Sequence, residues 1–234
     1  GGEEDCFMPD IDEMLSRIEV DSPKGVFICN PANPSGKYLG RRQVERILNA
    51  SPLSLVILDE SYTAFTEGSW DSAELLSRGN VAIIRSMTKD YALAGLRLGY
   101  ALADEEVITN LRRVCPPWNV NAIAQRAGIV ALEDGEYLRK CEKKIREAKH
   151  LLMEGFSRLG YTVLPSSTNF FLVRVGDGAR FRLHLIETGI IVRDCASFGL
   201  PEYVRIAALK VPQCQRLLDV LQKSINEGVL APPG

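Results

Sequence analysis

The stretch SMTKDYALAGLRLGY, which spans Ser86–Tyr100, decides how the rest of the chain is interpreted. It follows the apolar run Val81–Ile84, and a short run of this kind predicts a buried strand. Lys89 therefore lies just past the end of a strand, where a rigid sheet can hold an amine in one place. The alternative is an ordinary surface lysine in a strand-to-helix loop.

The groups around Lys89 suit a phosphate. Ser86 and Thr88 supply two hydroxyl donors, and Arg97 supplies a forked cation eight residues after the lysine. An amine beside a phosphate site indicates pyridoxal phosphate, because that cofactor needs an amine to bind covalently and an anchor for its phosphate.

The pattern upstream of this stretch predicts an α/β fold. Apolar strands at Lys24–Cys29 and Ser54–Leu58 precede the strand before Lys89, and Arg41–Ala50 has helical spacing. Strands that alternate with helices predict a three-layer, parallel-type sheet with helices on both faces and polar groups at the carboxyl ends of the strands. The turn-forming segment Asn30–Gly36 and the segment Asp59–Tyr62 fall at such ends.

The remaining chain predicts a second, smaller domain. Residues 119–159 contain two helical segments, and residues 160–234 mix short strands with helices. The predicted strands are Tyr161–Leu164, Asn169–Arg174, Ile190–Arg193 and Tyr203–Ala207. We therefore expect a partial large cofactor-binding domain over 1–118, connecting helices over 119–159, and a small α+β domain over 160–234.

The stretch around Lys89 resembles the lysine motif of the fold type I aminotransferases. That motif is Ser-x-Ser/Thr-Lys followed by Gly-x-Arg-x-Gly, and the matching positions are Ser86, Thr88, Lys89, Gly95, Arg97 and Gly99. Two further family motifs occur upstream in the expected order, Asn-Pro-x-Asn-Pro-x-Gly and Asp-Glu-x-Tyr. The three together make the resemblance specific.

The resemblance implies a role for each matched residue. Lys89 would bind the cofactor covalently and move the substrate's proton, while Asp59 would pair with the protonated pyridine nitrogen. Asn33 and Tyr62 would hydrogen-bond the ring oxygen. Ser86, Thr88 and Arg97 would hold the phosphate. From the residues alone, Asn33 could also belong to a plain turn and Asp59 could be a helix N-cap.

Two arginines near the C-terminus complete the predicted site. Arg205 interrupts an apolar strand, which is costly unless it meets an anion, and Arg193 ends a neighbouring predicted strand. The run from Val192 to Ile206 resembles histidinol-phosphate aminotransferase and threonine-phosphate decarboxylase. By that resemblance Arg205 would hold a carboxylate and Arg193 a second anionic group. Alternatively, Arg193 is a surface charge or pairs with Asp194.

Composition excludes several other classes. The net charge is −2, without a long run of one sign, which argues against a nucleic-acid or membrane partner. Six scattered cysteines without a Cys-x-x-Cys pair indicate reduced thiols and a cytoplasmic protein. The two histidines are far apart, so we expect no metal site.

The sequence thus predicts transamination between an amino donor, such as a phosphorylated amine, and a 2-oxo acid. A decarboxylase of the threonine-phosphate type and a non-catalytic fragment remain alternatives. The resemblance also implies a homodimer. Relatives are longer at the N-terminus, where they hold a phosphate-binding turn and an aromatic that stacks on the cofactor, so we expect this chain to correspond to the C-terminal two-thirds of such an enzyme.

Overall fold

The computed structural model describes residues 2–233 and divides the chain into two compact units. The first unit runs to Ala32 and continues over Lys37–Leu138, and the second contains Asn33–Gly36 and the chain from Arg139 onward. The short loop Asn33–Gly36 therefore belongs with the C-terminal unit, although it directly follows a strand region of the first. The predicted segments 1–118, 119–159 and 160–234 stay a prediction about domains.

The first unit is built on a four-stranded sheet. Its strands are β1 (Gly25–Cys29), β2 (Leu55–Asp59), β3 (Val81–Ser86) and β4 (Gly99–Ala103), in that spatial order. β1, β2 and β3 are parallel, as the alternation of strands and helices predicts, and the α/β class is confirmed. β4 is antiparallel to β3, because the chain returns through a loop without a crossover helix. The sheet is therefore mixed at this edge.

The helices of this unit are α1 (Ile11–Asp21), α2 (Arg41–Ala50), α3 (Glu105–Val114) and α4 (Ala122–Glu133). Asp10 begins α1 as its N-cap, since its carboxylate accepts from Glu13 N at 3.0 Å. α1 and α2 pack together with one face of the sheet around fully buried Val44, Ile47, Val56 and Ile83. A 3₁₀ helix, Ser72–Arg78, precedes β3.

The second unit is a small antiparallel sheet covered by helices. Its strands are β5 (Thr162–Val163), β6 (Phe170–Arg174), β7 (Arg193–Asp194) and β8 (Tyr203–Ala207), in the order β5-β6-β8-β7. The helices are α5 (Gly135–Arg158), whose first turn lies in the first unit, α6 (Gly178–Glu187) and α7 (Val211–Asn226). The core contains fully buried Phe156, Phe171, Leu172, Leu185 and Leu221.

The predicted strand Ile190–Arg193 is displaced, since the paired residues are Arg193 and Asp194. Arg193 thus begins this strand and does not end it. Within residues 2–233, no helix combines the length and the apolar character that a membrane crossing requires.

Candidate active site

The parallel strands of the first unit bring two of the predicted motifs to one edge of the sheet. Cys29 pairs with Asp59, and Asp59 pairs with Ile84, so β1 and β2 end at the same level and β3 continues for two more residues. The carboxyl ends of parallel strands are the usual place for a ligand site in such a sheet. Asp59 ends β2 and Ser86 ends β3 at this edge.

Lys89 lies within reach of the hydroxyl groups that the sequence placed beside it. Ser86 Oγ is 2.7 Å from Thr88 Oγ1, and Lys89 Nζ donates to Ser86 Oγ at 3.2 Å. The same ammonium lies 5.5 Å from the centroid of the Tyr62 ring, over its face. Lys89 is exposed, so its amine is accessible from solvent.

Arg97 reaches the same region through the backbone. Met87 N donates to Leu98 O at 3.1 Å, and Ser86 pairs with Gly99. Arg97, which directly precedes Leu98, therefore lies next to the segment that contains Ser86. Arg97 has a left-handed backbone with φ of 55°, and its guanidinium donates to Ala94 O at 2.9 Å. The Arg97 side chain is therefore bonded to the adjacent turn, and its role at a phosphate stays a prediction.

Asp59 is half-buried and held by its neighbour Ser61. Its Oδ1 accepts from Ser61 N at 2.9 Å and from Ser61 Oγ at 2.6 Å. Burial, and next the nearby Asp59 carboxylate, raise the pKa of the Cys29 thiol. The next helical element is the 3₁₀ helix Thr63–Phe65, whose N-cap is Tyr62. The alternative role of Asp59 as an N-cap is therefore not what this local structure shows.

The sequence analysis missed an ion pair beside Asp59 and Ser86. Arg85 Nε donates to Glu60 Oε2 at 2.9 Å, and the Glu60 side chain is only 1% exposed. Arg85 also donates to the buried Ser72 hydroxyl at 3.3 Å. Glu60 follows Asp59 in the sequence, and Arg85 precedes Ser86. Charged residues at the ends of adjacent apolar strands were therefore the signal that could have predicted this pair. The pair fixes the ends of β2 and β3 to each other.

In the second unit, Arg205 contacts Asn33. Its guanidinium donates to Asn33 Oδ1 at 2.5 Å and lies 4.9 Å from the centroid of the Phe170 ring. In the described residues Arg205 contacts an amide oxygen and an aromatic face, and the anion that the sequence predicts as its partner stays a prediction. Phe170 is a second residue that the sequence analysis missed.

Arg193 lies directly across the sheet from Arg205. The two residues are partners in the antiparallel pairing of β7 and β8. Arg193 donates to Ser197 Oγ at 2.8 Å and lies over the Phe198 ring, while Asp194 lies 3.8 Å from Arg182. Successive residues of a strand point to opposite faces, which explains why Asp194 pairs with α6 and not with Arg193.

Fold and geometry together describe a mixed α/β chain with a lysine, a carboxylate and a hydroxyl pair at one sheet edge. The sequence profile of the family described as "Aminotransferase class I and II" matches residues 3–221. The chain belongs to that family.

Individual relatives agree. The chain is 34% identical over 216 residues to a histidinol-phosphate aminotransferase from Akkermansia muciniphila, covering 92% of this chain and 59% of the relative. The solved histidinol-phosphate aminotransferase of Sinorhizobium meliloti in complex with pyridoxal-5'-phosphate matches with a TM-score of 0.83 and 26% identity, over 93% of this chain and 62% of that one. The L-threonine-O-3-phosphate decarboxylase of Porphyromonas gingivalis matches with a TM-score of 0.80 and 28% identity, over 93% and 69%. The chain spans less than two-thirds of the first relative's length.

Proposed function

We propose that the protein to which this chain belongs is a pyridoxal-phosphate-dependent aminotransferase that transfers an amino group between a phosphorylated amine, such as histidinol phosphate, and a 2-oxo acid. The observation that supports this most is the position of Lys89, whose amine lies beside the Ser86–Thr88 hydroxyl pair and over the Tyr62 ring at the carboxyl edge of the sheet. Family membership and the named relatives point to the same chemistry.

The donor set fits this cofactor. An amine, two hydroxyls and a carboxylate meet at one sheet edge of the first unit, and they are the groups that an aldehyde, a phosphate and a pyridine nitrogen require. When bound, pyridoxal phosphate accepts an amine at its aldehyde carbon, and its ring takes up the electron pair released at the substrate's α-carbon. The cofactor is therefore part of the proposal.

The residues of the first unit then have distinct tasks. Lys89 Nζ is the attachment point and the base that takes the proton from the α-carbon, and Ser86 Oγ holds this amine in place. Asp59, oriented by Ser61, supplies the negative charge opposite the ring nitrogen. Tyr62 donates to the ring oxygen. The hydroxyls of Ser86 and Thr88 and the guanidinium of Arg97 bind the phosphate of the cofactor.

The second unit supplies the substrate contacts. Asn33 Oδ1 is engaged by Arg205, which leaves Nδ2 as the end of the amide that can donate to a ligand. Arg205 holds the carboxylate of the amino donor or 2-oxo acid through its remaining N–H groups. Arg193, its neighbour across the sheet, holds the phosphate of the phosphorylated amine.

The direct test is covalent labelling of Lys89. The chain is mixed with pyridoxal phosphate, scanned for visible absorbance, reduced with borohydride and mapped by mass spectrometry. We expect a yellow complex and a reduced adduct on Lys89, and neither in the Lys89→Ala variant. Lys143→Ala is the matched control, since this lysine is exposed on α5 and lies outside the three motifs. A parental yield of adduct in Lys89→Ala would refute the assignment, and no complex with the parent would favour the non-catalytic alternative.

Decarboxylation is the second candidate, because the P. gingivalis decarboxylase shares the fold. The two reactions differ in which bond at the α-carbon is broken, and both use the same attachment point. Incubation with threonine phosphate distinguishes them. Release of carbon dioxide when no 2-oxo acid is added indicates the decarboxylase. Conversion of an added 2-oxo acid into its amino acid indicates the aminotransferase.

We also propose a homodimer, with α4 of each copy in the interface. One face of α4 is apolar and exposed, with Ile123 74% and Val130 49% exposed, and it borders a groove of about 680 Å³. Arg126 and Asp134 lie on the same groove, so two antiparallel α4 helices would place each arginine against the partner's aspartate. Sedimentation at micromolar concentration should show a dimer in the parent and a monomer in Ile123→Asp, with Leu53→Asp as the exposed control. A monomeric parent would contradict this.

A further inference from the structure

The loop Asn33–Gly36 contacts the rest of the second unit at Gly36 as well as at Asn33. Ser167 N donates to Gly36 O at 2.8 Å, so the loop that follows β1 is hydrogen-bonded to the segment before β6. The contact is unusually close. A Cβ placed on Gly36 would lie 2.0 Å from Ser166 Oγ and 2.8 Å from Ser166 Cβ. Only a residue without a side chain fits against Ser166.

Ser166 is itself held from several sides. Its hydroxyl donates to Phe170 O at 2.5 Å and is 3.0 Å from Thr168 Oγ1. Its carbonyl accepts from Lys149 Nζ on α5, also at 2.5 Å. A partly buried network of this kind leaves the segment little freedom. Phe170 also contacts Arg205 through its ring, so the support of Ser166 and the support of Arg205 share one residue.

We propose that Ser166 is a positioning residue that, through its contact with Gly36, fixes Asn33 in register with Arg205. Asn33 is exposed, and its side-chain oxygen accepts from Arg205. Gly36, where the tight contact lies, is only three positions after Asn33, so a displacement of Gly36 moves Asn33. Lys149 contributes by donating to the backbone carbonyl of Ser166. The inference rests on the proposed function only in giving Asn33 and Arg205 a ligand.

The test compares two glycines with the same backbone strain. Gly36 has φ of +69° and Gly199 has φ of +76°, but a Cβ on Gly199 would meet no atom within 4 Å. Gly36→Ala therefore adds strain and a collision, while Gly199→Ala adds strain alone. Ser166→Ala tests the positioning hydroxyl itself, because it removes the bonds to Phe170 O and Thr168 Oγ1 without adding volume.

Two readouts are measured. Hydrogen exchange at the Ser167 amide reports the loop contact without any ligand, and the dissociation constant for 2-oxoglutarate, with pyridoxal phosphate present, reports the arginine. Gly36→Ala should raise the exchange rate at least tenfold and weaken 2-oxoglutarate about tenfold. Gly199→Ala should change both by less than twofold, and Ser166→Ala should change both by at least threefold in the same direction as Gly36→Ala.

Equal effects of Gly199→Ala and Gly36→Ala would overturn the proposal, since strain alone would then explain them, and so would parental values of both readouts in Ser166→Ala. If Gly36→Ala does not fold, Lys149→Met removes the bond to Ser166 O without adding volume, and unchanged Ser167 exchange in that variant would also overturn it. A parent that protects Ser167 but binds no 2-oxoglutarate would refute the proposed function and leave the loop contact standing.

Discussion

The Arg205 guanidinium donates to the side-chain oxygen of Asn33, which joins two residues 172 positions apart in the sequence. One of them belongs to the motif after β1 and the other to β8, yet both lie in the C-terminal unit. The bond orients the Asn33 amide and uses only part of the arginine's set of five donors. It therefore prepares the amide as a donor and leaves the arginine able to bind an anion.

Asn33→Asp should impair binding of a carboxylate more than Asn33→Ala does. An aspartate would form a charge-assisted pair with Arg205 and compete with the substrate, whereas alanine would remove the donor and leave the arginine available. We expect the dissociation constant for 2-oxoglutarate to rise about tenfold or more in Asn33→Asp and less in Asn33→Ala. Isothermal titration of both variants measures this. Equal losses would mean that Arg205 does not depend on its partner at position 33.

Asp59→Asn should slow proton removal by about 100- to 1000-fold, the size typical of losing one preorganised group at a site of developing charge. The reason is that asparagine keeps the shape but removes the negative charge that we place opposite the ring nitrogen. Single-turnover kinetics at saturating cofactor measure the rate. Ser61→Ala is the matched control, because it removes the 2.6 Å hydroxyl bond to Asp59 and keeps the charge. A parental rate in Asp59→Asn would reduce Asp59 to a turn-forming residue.

How far the sequence reaches can be seen from particular residues. Lys89, Ser86 and Thr88 are close together in sequence at a strand end, so local spacing was enough to predict their contact. The Glu60–Arg85 pair and the Phe170 ring over which Arg205 lies depend on pairing between distant strands, which no local pattern reports. The start of β7 at Arg193 was missed for a related reason. Ile190–Val192 is apolar enough to suggest a strand, but strand assignment requires a partner, and pairing begins only at Arg193.

Lys149 should make the stability of the chain depend on pH. Burial lowers the pKa of Lys149 from 10.5 to about 8. Between these values the unfolded chain binds the proton more tightly, so this group raises the free energy of unfolding as pH increases from about 8 to 10.5. Urea unfolding at pH 7.5 and 9.5 should show a gain in the parent relative to Lys149→Met, on the order of 1 kcal/mol because the side chain is partly exposed.

The comparison with Lys149→Met is necessary because other groups titrate in this range. Burial raises the pKa of Cys195 to about 11. This thiol therefore lowers the free energy of unfolding as pH rises from the ordinary pKa of a cysteine toward 11, and its contribution is the same in the parent and in Lys149→Met. Lys143→Met, at an exposed position of the same helix, is the matched control and should follow the parent. Identical pH dependence in the parent and Lys149→Met would contradict the expectation.

Arg193→Ala should weaken a phosphorylated amine far more than an unphosphorylated carboxylate substrate, and Arg205→Ala should weaken every carboxylate. Arg193 and Arg205 are paired residues on adjacent antiparallel strands, so their side chains leave the same face of the sheet with Cβ atoms about 5 Å apart. Like charges in this arrangement repel, and a doubly charged phosphate near both would relieve that repulsion. We expect about a tenfold increase in KM for histidinol phosphate in Arg193→Ala, at the low end for a charged pair because Arg193 is exposed.

Arg174→Ala is the control, since Arg174 is paired with Glu202 at 3.1 Å in the same unit. The kinetics require a protein that turns over, and competition by inorganic phosphate provides a binding measurement that does not. Equal weakening of both substrate kinds by Arg193→Ala would assign that arginine to structure and remove the argument for a phosphorylated substrate.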